Sequence, residues 1–175
     1  MKRRKIRSLS VSEIGMGCMG FSHGYGQVPG AGYAEEAIRE AFGYGCNFFD
    51  TAEGYGKELY YPGHNEEIVG RAVRGFRNEV VIATKLHIRP EAVEDCGSVY
   101  AAVRRHLERS LKNLQIDYVD LYYLHRINME VDNLEVAHAM GRLIQEGLVR
   151  EWGISTVDKA QPVSYTHLRA HETLR

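Results

Sequence analysis

Strand-like apolar runs begin at Phe48, Val80, Tyr118 and Val149, spaced 32, 38 and 31 residues apart. A helical pattern fills each gap. Ahead of the first run, Ala34, Ala37, Ile38, Ala41 and Phe42 fall on one helical face. Gly43 and Gly45 follow as stops, because glycine takes a left-handed backbone at little cost. Ile68, Val69, Ala72 and Val73 mark a second helix. Ser98 is placed to cap a third, whose apolar face is Val99, Val103, Leu107, Leu111 and Leu114. Ala137, Met140 and Ile144 mark a fourth, stopped at Gly147. Each gap fits one helix and two short loops, so the strands are expected to run parallel through right-handed crossovers. The runs at Val80–Ala83 and Tyr118–Leu124 are apolar enough for strands covered on both faces. Doubly wound sheets and (β/α)₈ barrels both satisfy this α/β pattern, and spacing alone does not choose between them.

Composition narrows the partners. The chain has 175 residues, 44% hydrophobic and 26% charged, with a net charge of −1. That balance gives no general pull toward nucleic acid or an anionic membrane. The short basic stretch Lys2–Lys5 reads as a solvated first strand. No apolar run approaches the ~18 residues needed to span a bilayer. Cys18, Cys46 and Cys96 form no CxxC pair, and an odd count points to reduced thiols, so a cytoplasmic protein is expected. Oligomeric state is not legible.

From about Val163 the chain reads VSYTHLRAHETLR, with neither helix nor strand periodicity. This stretch resembles a translated transposon-end sequencing adapter. One domain over residues 1–161 and a non-native tail over 162–175 are therefore expected, with no role for His167 or His171.

Gly15-Met16-Gly17-Cys18-Met19-Gly20 matches G-x-G-x-x-G. A dinucleotide fingerprint needs a helix to begin at the motif, so that its N-terminus meets pyrophosphate. Here the motif runs into Phe21–Gly26 and Pro29–Gly32, and helical periodicity begins only at Ala34. A Rossmann reading is rejected. More telling is what ends each apolar run: Asp50, Lys85, His125 and Ser155. In a (β/α)₈ barrel the C-terminal strand ends share one rim, which carries the active site. Singly, such residues are caps, solvated lysines or bystander histidines; jointly they suggest a site. No His/Cys/Asp/Glu grouping has metal-ligand spacing.

Several ordered motifs then identify a family. Asn47–Gly56 (NFFDTAEGYG) closely resembles the aldo-keto reductase signature around its catalytic Asp and Tyr. Val81–Lys85 (VIATK) resembles the segment carrying the catalytic Lys, and Asp117–Arg126 (DYVDLYYLHR) that carrying the catalytic His. Val149–Ser155 (VREWGIS) resembles the strand whose Ser holds the nicotinamide carboxamide. The resemblance covers roughly residues 2–161. It implies a (β/α)₈ TIM barrel, truncated after about five β/α units, with an N-terminal β-hairpin over Lys5–Leu9 and Val11–Ile14 plugging its floor. It implies NADPH bound extended across the rim and hydride transfer to the carbonyl of a small aldehyde or ketone. The catalytic residues carried over are Asp50, Tyr55, Lys85 and His125; the cofactor contacts are Gly17, Cys18, Met19, Asp50 and Ser155. Cys18 serves equally as a small packing residue. Thr156 stands where many relatives have Asn.

The chemistry can be argued independently. Hydride addition leaves an alkoxide that needs a proton. A free phenol, with pKa near ~10, is a reluctant donor near neutrality, and a cation beside it stabilises the phenolate. Lys85 supplies that cation, Asp50 pairs with it, and His125 hydrogen-bonds the carbonyl. Phe21, His23 and Tyr25 are expected in the loop shaping the substrate pocket, and Tyr60, Tyr61 and His64 in another rim loop. Asn65, Glu66 and Glu67 are expected to begin a helix, and His106 and His138 to be structural. Phosphate contacts in the family come mainly from strands seven and eight, so negligible turnover is expected of the isolated chain. Two rivals stand: a non-catalytic NADPH-binding partner protein of the same superfamily, and a barrel enzyme using Lys85 as a Schiff base.

Overall fold

The structure, a computed structural model, describes residues 1–23 and 26–156. Tyr25, Thr156's side chain and the boundary expected near Gln161 lie outside the described residues. A hairpin of β1 (Arg3–Ile6) and β2 (Leu9–Ser12) opens the chain. Five parallel strands follow: β3 (Met16–Gly17), β4 (Phe48–Asp50), β5 (Val81–Leu86), β6 (Val119–Arg126) and β7 (Val149–Thr156). They lie in the order β3-β4-β5-β6-β7. Each new strand is laid beside the previous one, and the order never reverses. A doubly wound sheet reverses at a switch point, so the barrel alternative is the one that holds, and the described sheet is part of its wall.

The helices are α1 (Ala31–Gly43), α2 (His64–Val73), α3 (Pro90–Cys96), α4 (Val99–Leu114) and α5 (Asn133–Gln145). Ser98 caps α4 by accepting from the Ala101 N–H at 3.2 Å, and Asp132 caps α5 through the Leu134 N–H at 2.8 Å. Gly43 is the last residue of α1, and the left-handed turn falls at Gly45, with φ +92°. The segment after β3 is a 3₁₀ turn over Met19–Phe21, and α1 begins only at Ala31. The glycine motif therefore opens no α-helix.

Strand side chains alternate between faces. Ile82, Leu86, Tyr122 and Leu124 face the helices and join the main core with Ile38, Ile68, Leu107 and Met140. Val81, Ala83 and Leu121 point the other way, onto Leu9 and Val11 of the hairpin. The hairpin thus closes the floor. Its register differs from the sequence expectation of Lys5–Leu9 and Val11–Ile14. Ile6 pairs with Leu9, and the turn sits at Arg7-Ser8, with Arg7 at φ +52°. The reason is non-local: Glu151 of β7 accepts from the Ser8 hydroxyl at 2.6 Å and from Arg7 at 3.4 Å. Asp120 is buried on β6 and ties neighbouring elements together. It accepts from the Ile82 N–H of β5 at 3.0 Å and pairs with Arg77 at 2.8 Å and Arg150 at 2.9 Å.

Candidate active site

The same period of two carries the polar strand ends inward. Lys85 shares a face with Val81 and Ala83, Asp50 with Phe48, and His125 with Leu121 and Tyr123. Tyr55 comes from the loop after β4. The structure brings these four together. The Lys85 ammonium donates to Asp50, to the Thr51 carbonyl at 2.7 Å and to the Tyr55 hydroxyl at 3.2 Å. Its side chain is only 7% exposed, so the three acceptors replace its lost water. The ammonium also lies 4.9 Å from the Tyr55 ring centre. The His125 ring meets Tyr55 edge-on, with centroids 5.7 Å apart.

Burial pushes the Asp50 carboxyl above its ordinary pKa, and the Lys85 charge and hydrogen bond oppose that rise. His125 is pushed down to about 4, first by burial and then by Lys85 and Arg126. Its imidazole is therefore neutral near pH 7, able to donate from one nitrogen and accept at the other.

Two cavities meet at Tyr55. The larger, about 800 Å³, is lined by Gly17, Asp50, Tyr55, Lys85 and Ser155, with hairpin residues below. The smaller, about 540 Å³, is lined by Met19, His23, Tyr55 and His125, among others. Of the residues expected to hold a cofactor, Gly17, Asp50 and Ser155 border the larger cavity and Met19 the smaller. Cys18 borders neither. Its side chain is fully buried in the helix-side core, and burial pushes its thiol up to about 12. It packs as a small apolar residue, the alternative left open by the sequence.

Sequence reasoning missed the shell behind these residues. Asn65, at the start of α2, is fully buried. It accepts from Thr51 at 2.6 Å and donates to the Cys18 carbonyl at 2.8 Å, fastening β3 to β4. Glu66 beside it accepts from Thr84 at 2.6 Å, and burial raises its pKa. Both were expected only as helix-starting residues. Glu53 accepts from the His87 N–H at 2.8 Å and lies 2.7 Å from His106 Nδ1. His106, expected to be structural, thus reaches the smaller cavity. His64 begins α2, stacks on Tyr60 at 4.0 Å and pairs with Ser22 at 2.9 Å. No grouping of His, Cys, Asp and Glu among the described residues could hold a metal, and no described helix is long and apolar enough to cross a membrane.

The sequence model of the Aldo/keto reductase family matches residues 13–172. The chain belongs to the aldo/keto reductase family. Within that family it is 36% identical over 166 residues to the uncharacterized oxidoreductase YqkF of Bacillus subtilis, spanning 90% of this chain and 49% of that protein. It is 35% identical over 158 residues to the aldo-keto reductase yakc [NADP(+)] of Schizosaccharomyces pombe, spanning 87% and 44%. Among solved structures, the holo form of aldo-keto reductase AKR11C1 from Bacillus halodurans superposes with TM-score 0.79 at 32% identity, covering 95% of this chain and 54% of that one. An aldo/keto reductase from Klebsiella pneumoniae in complex with NADP and acetate superposes with TM-score 0.70 at 34% identity, covering 86% and 48%. The chain spans about half the length of these relatives. The five-stranded sheet corresponds to part of the family's barrel.

Proposed function

We propose that the whole protein is an NADPH-dependent reductase of small aldehydes or ketones, with Tyr55 as the proton donor. The observation that carries the reading is the Tyr55 hydroxyl 3.2 Å from an ammonium that is itself clamped by Asp50 and a backbone carbonyl. A phenol with a fixed cation beside it can release a proton, because the cation stabilises the phenolate left behind.

The residues present fit the nicotinamide end of such a cofactor. A side chain at Gly17 would meet nothing within 4 Å, so the strand end is open to a flat ring, and Ser155 presents a hydroxyl to the same cavity. A nicotinamide bound there supplies hydride to the carbonyl carbon. Everything else falls to this chain. Tyr55 gives its proton to the carbonyl oxygen, leaving an alcohol and a phenolate that solvent reprotonates. Lys85 holds the negative charge meanwhile, and Asp50 and Thr51 hold Lys85 in place. Neutral His125 donates a hydrogen bond to the substrate oxygen and orients it. The NADP(+) in the name of the fission-yeast relative, and the NADP bound in the Klebsiella structure, favour the phosphorylated cofactor.

The test is Tyr55→Phe in the whole protein. A positioned acid contributes ~10²–10⁴ in rate, so carbonyl-dependent NADPH oxidation should fall by at least about a hundredfold with NADPH binding retained. Turnover that survives the substitution refutes the assignment. A protein that binds NADPH but never reduces a carbonyl would be the non-catalytic partner instead.

A further inference from the structure

The smaller cavity carries a charge asymmetry that proton transfer does not use. Four cations line it: Lys57, Arg89, Arg109 and Arg126. They arrive on three separate stretches of rim and on α4, so no single helix face accounts for them. Two carboxylates share the walls, each held by a partner in the same cavity, so the cations outnumber them two to one. Glu53 is held by His106 and the His87 N–H, and Glu58 pairs with His23 at 2.8 Å. Among the described residues, none of the four cations is paired with a carboxylate. Three of them share the cavity wall with His87, whose proton affinity is depressed first by burial and then by Arg89, Lys57 and Arg126, with Glu53 opposing. That of His125, on the same wall, is depressed first by burial, then by Lys85 and, after it, Arg126.

Resting on the reductase reading, we infer that the preferred substrate is a carbonyl compound bearing an anionic group, carboxylate or phosphate, which the arginines of this cavity receive. Guanidinium forks match the planar oxygens of such groups and bind them through paired hydrogen bonds. A cavity of about 540 Å³ holds a small metabolite with its carbonyl at Tyr55 and its charge at the rim. A surplus of cations around a cleft also draws anions in from solution, an effect that salt screens. The cofactor's own phosphates are the competing claim on these cations, and they are separable: Gly17, Lys85 and Ser155 line the other cavity.

The experiment compares 4-carboxybenzaldehyde, 4-formylphenyl phosphate and the neutral methyl ester of the former as substrates of the whole protein. At about 50 mM salt, at least one anionic aldehyde should exceed the ester by about tenfold in kcat/KM, and the preference should shrink toward unity by about 500 mM. The phosphate and carboxylate arms tell which group is received. The double variant Arg89→Gln/Arg126→Gln should cut the preference by about tenfold, chiefly through KM, and Arg126→Glu should turn it toward the ester. Equal use of the three aldehydes overturns the inference, as does a preference that survives the double variant. A rise in KM for NADPH with the preference intact assigns the cations to the cofactor and also overturns it. Ester turnover abolished by Tyr55→Phe keeps the reductase reading standing in either case. Calorimetric titration with terephthalate reads the cavity without turnover: binding weakened by the double variant is expected, and binding that is absent or unchanged overturns the inference.

Discussion

Replacing Lys85 by Met tests the clamp at its centre. The substitution keeps the length of the stem but removes the charge that opposes the burial of Asp50. Orphaning one partner of a buried pair costs ~3–5 kcal/mol. The Asp50 side chain is 30% exposed, so water recovers part of that, and a loss of about 2–3 kcal/mol is expected near pH 8. The sign of the pH dependence follows from the direction of the shift. The folded Asp50 pKa is already raised by burial, and loss of Lys85 raises it further. A raised acid pKa means that the folded state holds a proton that the unfolded chain has released. The variant is therefore least impaired at low pH and loses stability as pH rises from the ordinary carboxylate value, about 3.9, through the raised one. Urea denaturation of variant and wild type at pH 5 and pH 8 measures the difference. The double variant Lys85→Met/Asp50→Asn should recover most of the loss at pH 8, because no charge is then stranded. A penalty equal at both pH values, or no recovery in the double variant, would refute the reasoning.

Three further outcomes follow from separate features. Gly70 of α2 packs against α4 so closely that an added methyl would sit 2.2 Å from the Leu114 carbonyl oxygen. Gly70→Ala gains about 1 kcal/mol of helix propensity but forces the helices apart, so a net loss of about 1–3 kcal/mol is expected by urea denaturation. His125, neutral down to about 4 when folded, should charge on unfolding at ordinary histidine pH. Stability is then lost as pH falls from about 6.5 toward 4, by about 1–2 kcal/mol after allowing for solvent at a half-buried ring, and His125→Gln should remove that slope. Cys18, buried and pushed up to about 12, should resist iodoacetamide in the folded protein while half-buried Cys96 reacts first; peptide mapping by mass spectrometry reads the order.

The strand ends were legible because each apolar run stops at a polar residue, Asp50, Lys85, His125 or Ser155, which is a property of the chain itself. The structure adds the facing: with Val81 and Ala83 on the floor side, Lys85 lies on the same side. The turn chemistry at Ser98 was legible for the same reason, since a cap is a local contact. Helix α3 was not: none of its seven residues is fully buried, and only Ala92, Val93 and Cys96 pack partly against the core, too short a face to announce a helix. The hairpin register was not, because it is fixed by Glu151, more than a hundred residues away. Cys18 sits in a motif that points at the site, yet its side chain turns into the core, and nothing local sets that turn. Asn65, Glu53 and His106 act through partners on other elements. The surplus positive charge at the smaller cavity was hidden likewise: an arginine count says nothing about which arginines the acids leave over.

Among the described residues, Tyr55 is the one side chain that borders both cavities. The anchoring of its phenol to Lys85 and Asp50 lies wholly on one side of it, and the wall that would greet a new substrate lies on the other. On the proposed reading, substitutions around Arg89 or Arg109 would change which carbonyl compound is accepted while leaving Tyr55 and its anchor in place. A lineage built this way could, on that reading, wander among substrates without relearning its chemistry.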